Sequence, residues 1–177
     1  MRQIVYYVAT SVDGYICAED GSTHMFPHHQ DAVDLYFKDL KEFGTVIMGR
    51  RTYEAGYDYG LVPGQLAYPH MKHYIVSSSL HLPDKHENVS IIELDLEIID
   101  QLKEDASTDI YLCGGGELAG WLLDRKRIDV LKVKVNPILM GEGIRLFGDS
   151  TKNIQLEQTA FTNLKSGICF ITYSIHY

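Results

Sequence analysis

Short apolar runs alternate with segments of helical period over the first two thirds of the chain, and only strand-like runs follow. Ile4 to Ala9, Thr45 to Met48, His73 to Ser77, Val89 to Leu94 and Asp109 to Cys113 read as strands, rich in Val, Ile and Tyr. Between them, Asp31 to Phe43 repeats at helical period, with Val33, Tyr36, Phe37, Leu40 and Phe43 on one face and Gly44 as the stop. Arg51 to Gly56, Leu96 to Glu104 and Glu117 to Leu123 add three more helices. Asp129 to Ile138 alternates at period two, and Ile154 to Asn163 and Gly167 to Tyr177 read as a terminal hairpin. The order predicts an α/β fold with three αβα layers. Its single mixed sheet has a mostly parallel core and an antiparallel C-terminal edge.

A chain of 177 residues with 45% hydrophobic and 23% charged residues predicts one domain, residues 1–177, with a sizeable core. The formal charge of -8 lacks the basic footprint that nucleic acid or an anionic membrane needs. Cys17, Cys113 and Cys169 are an odd number and widely spaced, which fits neither a disulfide scaffold nor a structural zinc site. The N-terminus lacks a signal-peptide layout and no apolar run reaches membrane-span length, so a cytoplasmic protein is expected.

Two strand–glycine–helix junctions carry the chemistry. One is Met48-Gly49-Arg50-Arg51-Thr52 and the other Cys113-Gly114-Gly115-Gly116-Glu117. Glycine lets a ligand approach bare peptide groups, and a helix N-terminus offers unpaired N–H groups to a phosphate. Ligands of open α/β sheets bind at the carboxyl ends of the strands. Arg50 and Arg51 supply charge-assisted hydrogen bonds, Thr52 a hydroxyl, and Ser77, Ser78 and Ser79 more hydroxyls at a third strand end. The spacing is not GxGxxG, and a glycine before a helix also serves a plain turn. The coincidence of these elements at strand ends favours a phosphate-bearing ligand.

The segments VATSVDGYI (Val8 to Ile16), VIMGRRTYE (Val46 to Glu54), YIVSSS (Tyr74 to Ser79), IYLCGGGELAGWLL (Ile110 to Leu123) and NPILMGEGIRLF (Asn136 to Phe147) resemble the dihydrofolate-reductase-like superfamily. Within it, the chain is similar to the C-terminal reductase domain of the bacterial bifunctional riboflavin-biosynthesis deaminase/reductase. The resemblance implies a stand-alone NADPH-dependent reductase of a small heterocycle, similar to 5-amino-6-(5-phosphoribosylamino)uracil reductase, and a homodimer. It implies that Ala9 and Ile16 flank the nicotinamide. Arg50, with Ser77 and Ser78, would hold the adenosine 2′-phosphate. Gly49, Arg51 and Thr52 would meet the diphosphate from one side. Gly114, Gly115, Gly116, Glu117 and Leu118 would meet it from the other. Thr10 to His29 would form a mobile lid that excludes water.

Asp34 is the candidate proton donor on the first helix, with Asp31 as its rival and water as the other source. A carboxylate near a helix start also answers to the helix dipole. Asp13 reads as a turn residue. His24, His28 and His29 cluster in the lid without a fixed carboxylate partner, and no metal site is assigned. Tyr53, Tyr57, Tyr59 and Tyr68 either line an aromatic pocket or fasten a loop to the sheet. Dihydrofolate reduction remains an alternative. A nucleotide-binding protein without catalysis, or one with a purely structural role, is the reading from another class.

Overall fold

The computed structural model describes residues 1–177. Eight strands form one sheet: β1 (Ile4–Thr10), β3 (Thr45–Gly49), β4 (Lys72–Val76), β5 (Val89–Ile92), β6 (Ile110–Gly114), β7 (Val130–Val135), β9 (Gln155–Asn163) and β10 (Cys169–His176). Their spatial order is β5-β4-β3-β6-β1-β7-β10-β9. The first six in that order are parallel, and β10 and β9 close the sheet antiparallel. A separate two-stranded ribbon pairs β2 (Tyr15–Cys17) with β8 (Ile144–Arg145).

Alternation along the strands builds two cores. On one face Ile4, Tyr6, Ile110 and Leu112 meet α3 (Leu96–Asp105) and α4 (Gly116–Asp124) through Ile99, Leu102, Leu118 and Leu122. On the other, Val5, Tyr7, Val46, Met48 and Tyr111 meet α1 (Gln30–Leu40) and α2 (Arg50–Glu54) through Ala32, Leu40 and Tyr53. Each fully buried large apolar side chain contributes about 1.5–3 kcal/mol. This is the expected three-layer α/β architecture with an antiparallel edge. No helix is long and apolar enough to cross a membrane.

Three details differ from the sequence pattern. The first helix ends at Leu40, and Lys41, Glu42 and Phe43 continue as tight turns bonded to Lys38, Asp39 and Leu40 carbonyls. Its packed face is Ala32, Leu35, Tyr36 and Leu40, while Phe37 is 54% exposed. Choosing Phe37 as an anchor on hydrophobicity rotated the stripe. The segment Thr10 to His29 is not all loop, because β2 lies inside it and is fixed to β8.

At the amino end of the sheet, Asp129 accepts from Lys103 Nζ and from the Ile4 N–H, each at 2.7 Å. Lys103 is buried, so this pair fixes where β1 starts beside α3.

Candidate active site at the carboxyl edge of the sheet

Met48 on β3 lies opposite Gly114 on β6, so both glycine junctions share one edge of the sheet. Gly114 has φ +119°, a conformation that favours glycine, and the Gly114–Gly115 peptide is cis. A Cβ on Gly115 would lie 3.4 Å from Thr52 Oγ1, and one on Gly49 3.8 Å from the Gly114 carbonyl. The two junctions therefore present a narrow, side-chain-free strip of backbone. The N–H groups of Gly116, Glu117 and Leu118 have no acceptor within α4, and no side chain caps the helix.

Side chains of both signs rim the strip. Arg50 donates from Nε to Glu54 at 2.8 Å and from Nη1 to Ser79 Oγ at 3.1 Å. Arg51 stands 3.5 Å from Glu117, both strongly exposed and free to turn toward an anion. Ser77 Oγ accepts the N–H groups of Ser79 and Leu80, so it shapes the turn. Ser78 is exposed. Of the serine triplet, Ser79 is the one that meets Arg50. The sequence signal for it was its place in the triplet, and only the turn geometry singles it out.

The NPILMGEGIRLF element abuts the same helix. A Cβ on Gly116 would collide with the Arg145 carbonyl, and one on Gly120 with the Phe147 carbonyl. Backbone thus packs on backbone along one face of α4.

Ala9 lies near the end of β1 and is partly exposed, and Ile16 is buried in β2. Between them the chain is tied down. Ser11 N–H donates to the Tyr15 carbonyl and the Tyr15 N–H to Ser11 Oγ. Asp13 accepts the N–H groups of Met140 at 3.1 Å and Gly141 at 2.7 Å. The Ser11 hydroxyl, then these two amides, hold the Asp13 carboxyl at about 2.

On the α1 side of the sheet lies a cluster of tyrosines packed in and against the core. Tyr36 and Tyr111 hydroxyls are 2.7 Å apart, Tyr36 and Tyr68 3.3 Å, and Tyr68 approaches Cys113 Sγ at 3.6 Å. Burial pushes the hydroxyl pKa values of all three upward, so they serve as neutral donors. Tyr7 donates to Asp39 at 2.9 Å, and Lys132 Nζ lies 2.6 Å from the same oxygen. The loop tyrosines divide. Tyr68 belongs to the hydroxyl cluster, Tyr53 is buried and bonded to the Gln65 carbonyl, Tyr57 packs edge-on to Tyr53, and Tyr59 is 70% exposed.

Asp34 does not join this tyrosine cluster. It is exposed, and its carboxylate accepts from Gln30 at 2.7 Å on the outer side of α1. Helical spacing gives the sheet-facing positions to Ala32, Tyr36 and Asp39 instead. His24, His28 and His29 are exposed.

The chain belongs to the family described as the RibD C-terminal domain, whose pattern matches residues 2–170. It is 30% identical over 159 residues to the uncharacterized protein YwjB of Bacillus subtilis (strain 168), covering 88% of each chain. Its fold matches that of a Shewanella sp. PV-4 protein provisionally assigned to riboflavin biosynthesis, with TM-score 0.81, 23% identity and full coverage of both chains. It also matches a dihydrofolate reductase of Enterococcus faecalis solved with NADP(H), with TM-score 0.68, 20% identity, and 99% and 97% coverage. The protein is thus a reductase-type domain with a dihydrofolate-reductase-like fold.

Proposed function

We propose that this protein is an NADPH-dependent reductase of a small heterocycle, of the 5-amino-6-(5-phosphoribosylamino)uracil reductase type. The observation that carries the reading is the Met48–Gly114 register, which joins two glycine junctions into one bare backbone strip beside Arg50, Arg51 and Thr52. That donor set fits a dinucleotide diphosphate. Backbone N–H groups of α4 receive it on one side, and Thr52 and the mobile Arg51 on the other. Arg50 and Ser79, one strand further out, suit the additional phosphate of NADPH. Bound there, the cofactor supplies hydride.

The rest is done by this chain's own residues. Ala9 and Ile16 provide the apolar floor and flank for a flat ring. The tyrosine cluster on the α1 side is the candidate surface to orient a heterocycle against it and exclude water. Tying down residues 11–17 restricts lid motion to Ala18 to His29. Protonation is assigned to solvent, because Asp34 is exposed and engaged with Gln30. Asp34→Asn is therefore expected to retain turnover. The working unit is proposed to be a homodimer joined through β9, which is exposed along its whole length at the sheet edge. Sedimentation analysis checks it.

The first experiment is a fluorescence titration with NADPH and NADH in parallel, followed by turnover of pyrimidine and pterin substrates. Micromolar binding that prefers NADPH, with turnover of one ring class, supports the reading. Binding without turnover leaves a nucleotide-binding protein, and no binding of either nucleotide overturns the reading. Saturable turnover of dihydrofolate would assign dihydrofolate reduction instead.

A further inference from the structure

Four lysine and arginine side chains of this chain are withdrawn from solvent: Lys103, Arg127, Lys132 and Lys134. Three have a carboxylate in contact. Lys103 lies 2.7 Å from Asp129, Arg127 2.6 Å from Asp100, and Lys132 2.6 Å from Asp39. Lys134 has no carboxylate within reach and makes no side-chain hydrogen bond. A half-buried ammonium without a counter-charge costs free energy, and burial alone lowers its pKa below the ordinary lysine value.

Its position gives that cost a use. Lys134 is the last but one residue of β7, two residues beyond Lys132 and on the same face of the sheet. It faces Ala9 across the parallel β1 pairing and Phe170 across the antiparallel β10 pairing. Both neighbours lie on the α1 side by strand alternation, where Phe170 is buried and Ala9 is partly exposed. Asp39 is already engaged by Tyr7 and Lys132, one step deeper in the sheet. Lys134, with its ammonium unpaired, is therefore the β7 neighbour of the residue assigned to the nicotinamide floor.

We infer that Lys134 is the substrate-recognition charge of this cleft. Its ammonium donates to an anionic oxygen on the edge of a pyrimidine-type ring stacked on the nicotinamide beside Ala9, and so selects rings that carry negative charge in the ring plane. The inference rests on the reductase reading of the same cleft.

The test compares two rings of similar size on NADP⁺-saturated protein: barbiturate, an anionic pyrimidine trione at neutral pH, and uracil, which is neutral. Wild type is expected to bind barbiturate about 10-fold or more tightly than uracil, as a charge-assisted hydrogen bond allows. Lys134→Met should abolish that preference while leaving uracil and NADPH affinity within about twofold, and Lys134→Arg should keep part of it. In parallel, the Lys134 ε-methylene ¹³C signal, identified by its loss in Lys134→Met, should shift on adding barbiturate. Equal affinity for the two rings in wild type, a preference unchanged by Lys134→Met, or an unshifted signal at the highest soluble barbiturate concentration overturns the inference. The wild-type preference needs no variant to fold. NADPH titration of the same samples separates the failures: a protein that binds NADPH but ignores ring charge refutes the role of Lys134 alone.

Discussion

Arg50, at the start of α2, reaches across from the end of β3 to Ser79 beyond the end of β4, with Nη1 3.1 Å from Oγ. The contact places a guanidinium and a hydroxyl side by side one strand away from the bare glycine strip. A phosphate there would accept from both, whereas a nucleotide lacking the extra phosphate would leave the pair as it is. Arg50→Ala is expected to weaken NADPH binding by about 10- to 100-fold and to leave NADH unchanged. Ser79→Ala should cost only a few-fold. Fluorescence titrations with both nucleotides check this, and equal losses for NADPH and NADH would remove Arg50 from phosphate selection.

Glycine to alanine ordinarily stabilises a helix interior by about 1 kcal/mol. At Gly116 and Gly120 the sign should invert, because the Arg145 and Phe147 carbonyls occupy the space a methyl would need. Gly116→Ala and Gly120→Ala are each expected to lose about 1–3 kcal/mol through forced displacement of the Arg145–Gly148 turn. Urea unfolding measures it. A gain in stability at either position would show that the turn yields freely.

His73 is fully buried, with Nε2 accepting the Tyr68 N–H at 3.1 Å and Nδ1 donating to the Met71 carbonyl at 3.1 Å. Burial holds its pKa at about 4, below the ordinary 6.5. Between those values the unfolded chain binds a proton that the folded chain refuses. Its contribution to stability is complete above the unfolded value and is lost as pH falls toward 4. From about pH 7 to about pH 4.5 the loss should be on the order of 2–3 kcal/mol. Unfolding curves across that range test it, with His73→Gln expected to flatten the dependence. An equally steep slope in the variant would place the proton uptake elsewhere.

Asp13 joins the start of the lid to the turn at Met140 and Gly141. Removing its carboxylate in Asp13→Ala should speed amide exchange at those two residues by about tenfold, with the sheet core unaffected. Unchanged protection would mean that the β2–β8 ribbon holds the turn by itself.

Much of the fold was legible in the residues. Period-two and period-3.6 patterns located the principal helices and strands because burial imposes those periods directly. The lid strand β2 escaped because Tyr15–Cys17 is three residues long and acquires its partner, β8, only through the fold. The juxtaposed glycine strip was legible for the same reason as the core: Gly114 and Gly116 mark backbone needs that few other residues satisfy. The placing of Asp34 depends on the rotation of α1 to within one residue, which the sequence leaves open; the structure puts it on the exposed side, bonded to Gln30. Lys134 was visible on its strand, yet nothing in a linear text reveals that Lys132 has an acid and Lys134 none.

The interlock between α4 and the Arg145–Gly148 turn bears on how such a chain can diverge. At that end of the cleft the fit is made by main chain, so replacements there must come in compensating sets. At the Ala9 end the neighbours are side chains: Lys134 lies opposite Ala9, and Phe170 opposite Lys134. On the proposed function, single substitutions there would retune which ring is accepted before they disturb the glycine strip, and members of one lineage could part ways in substrate while sharing a common grip.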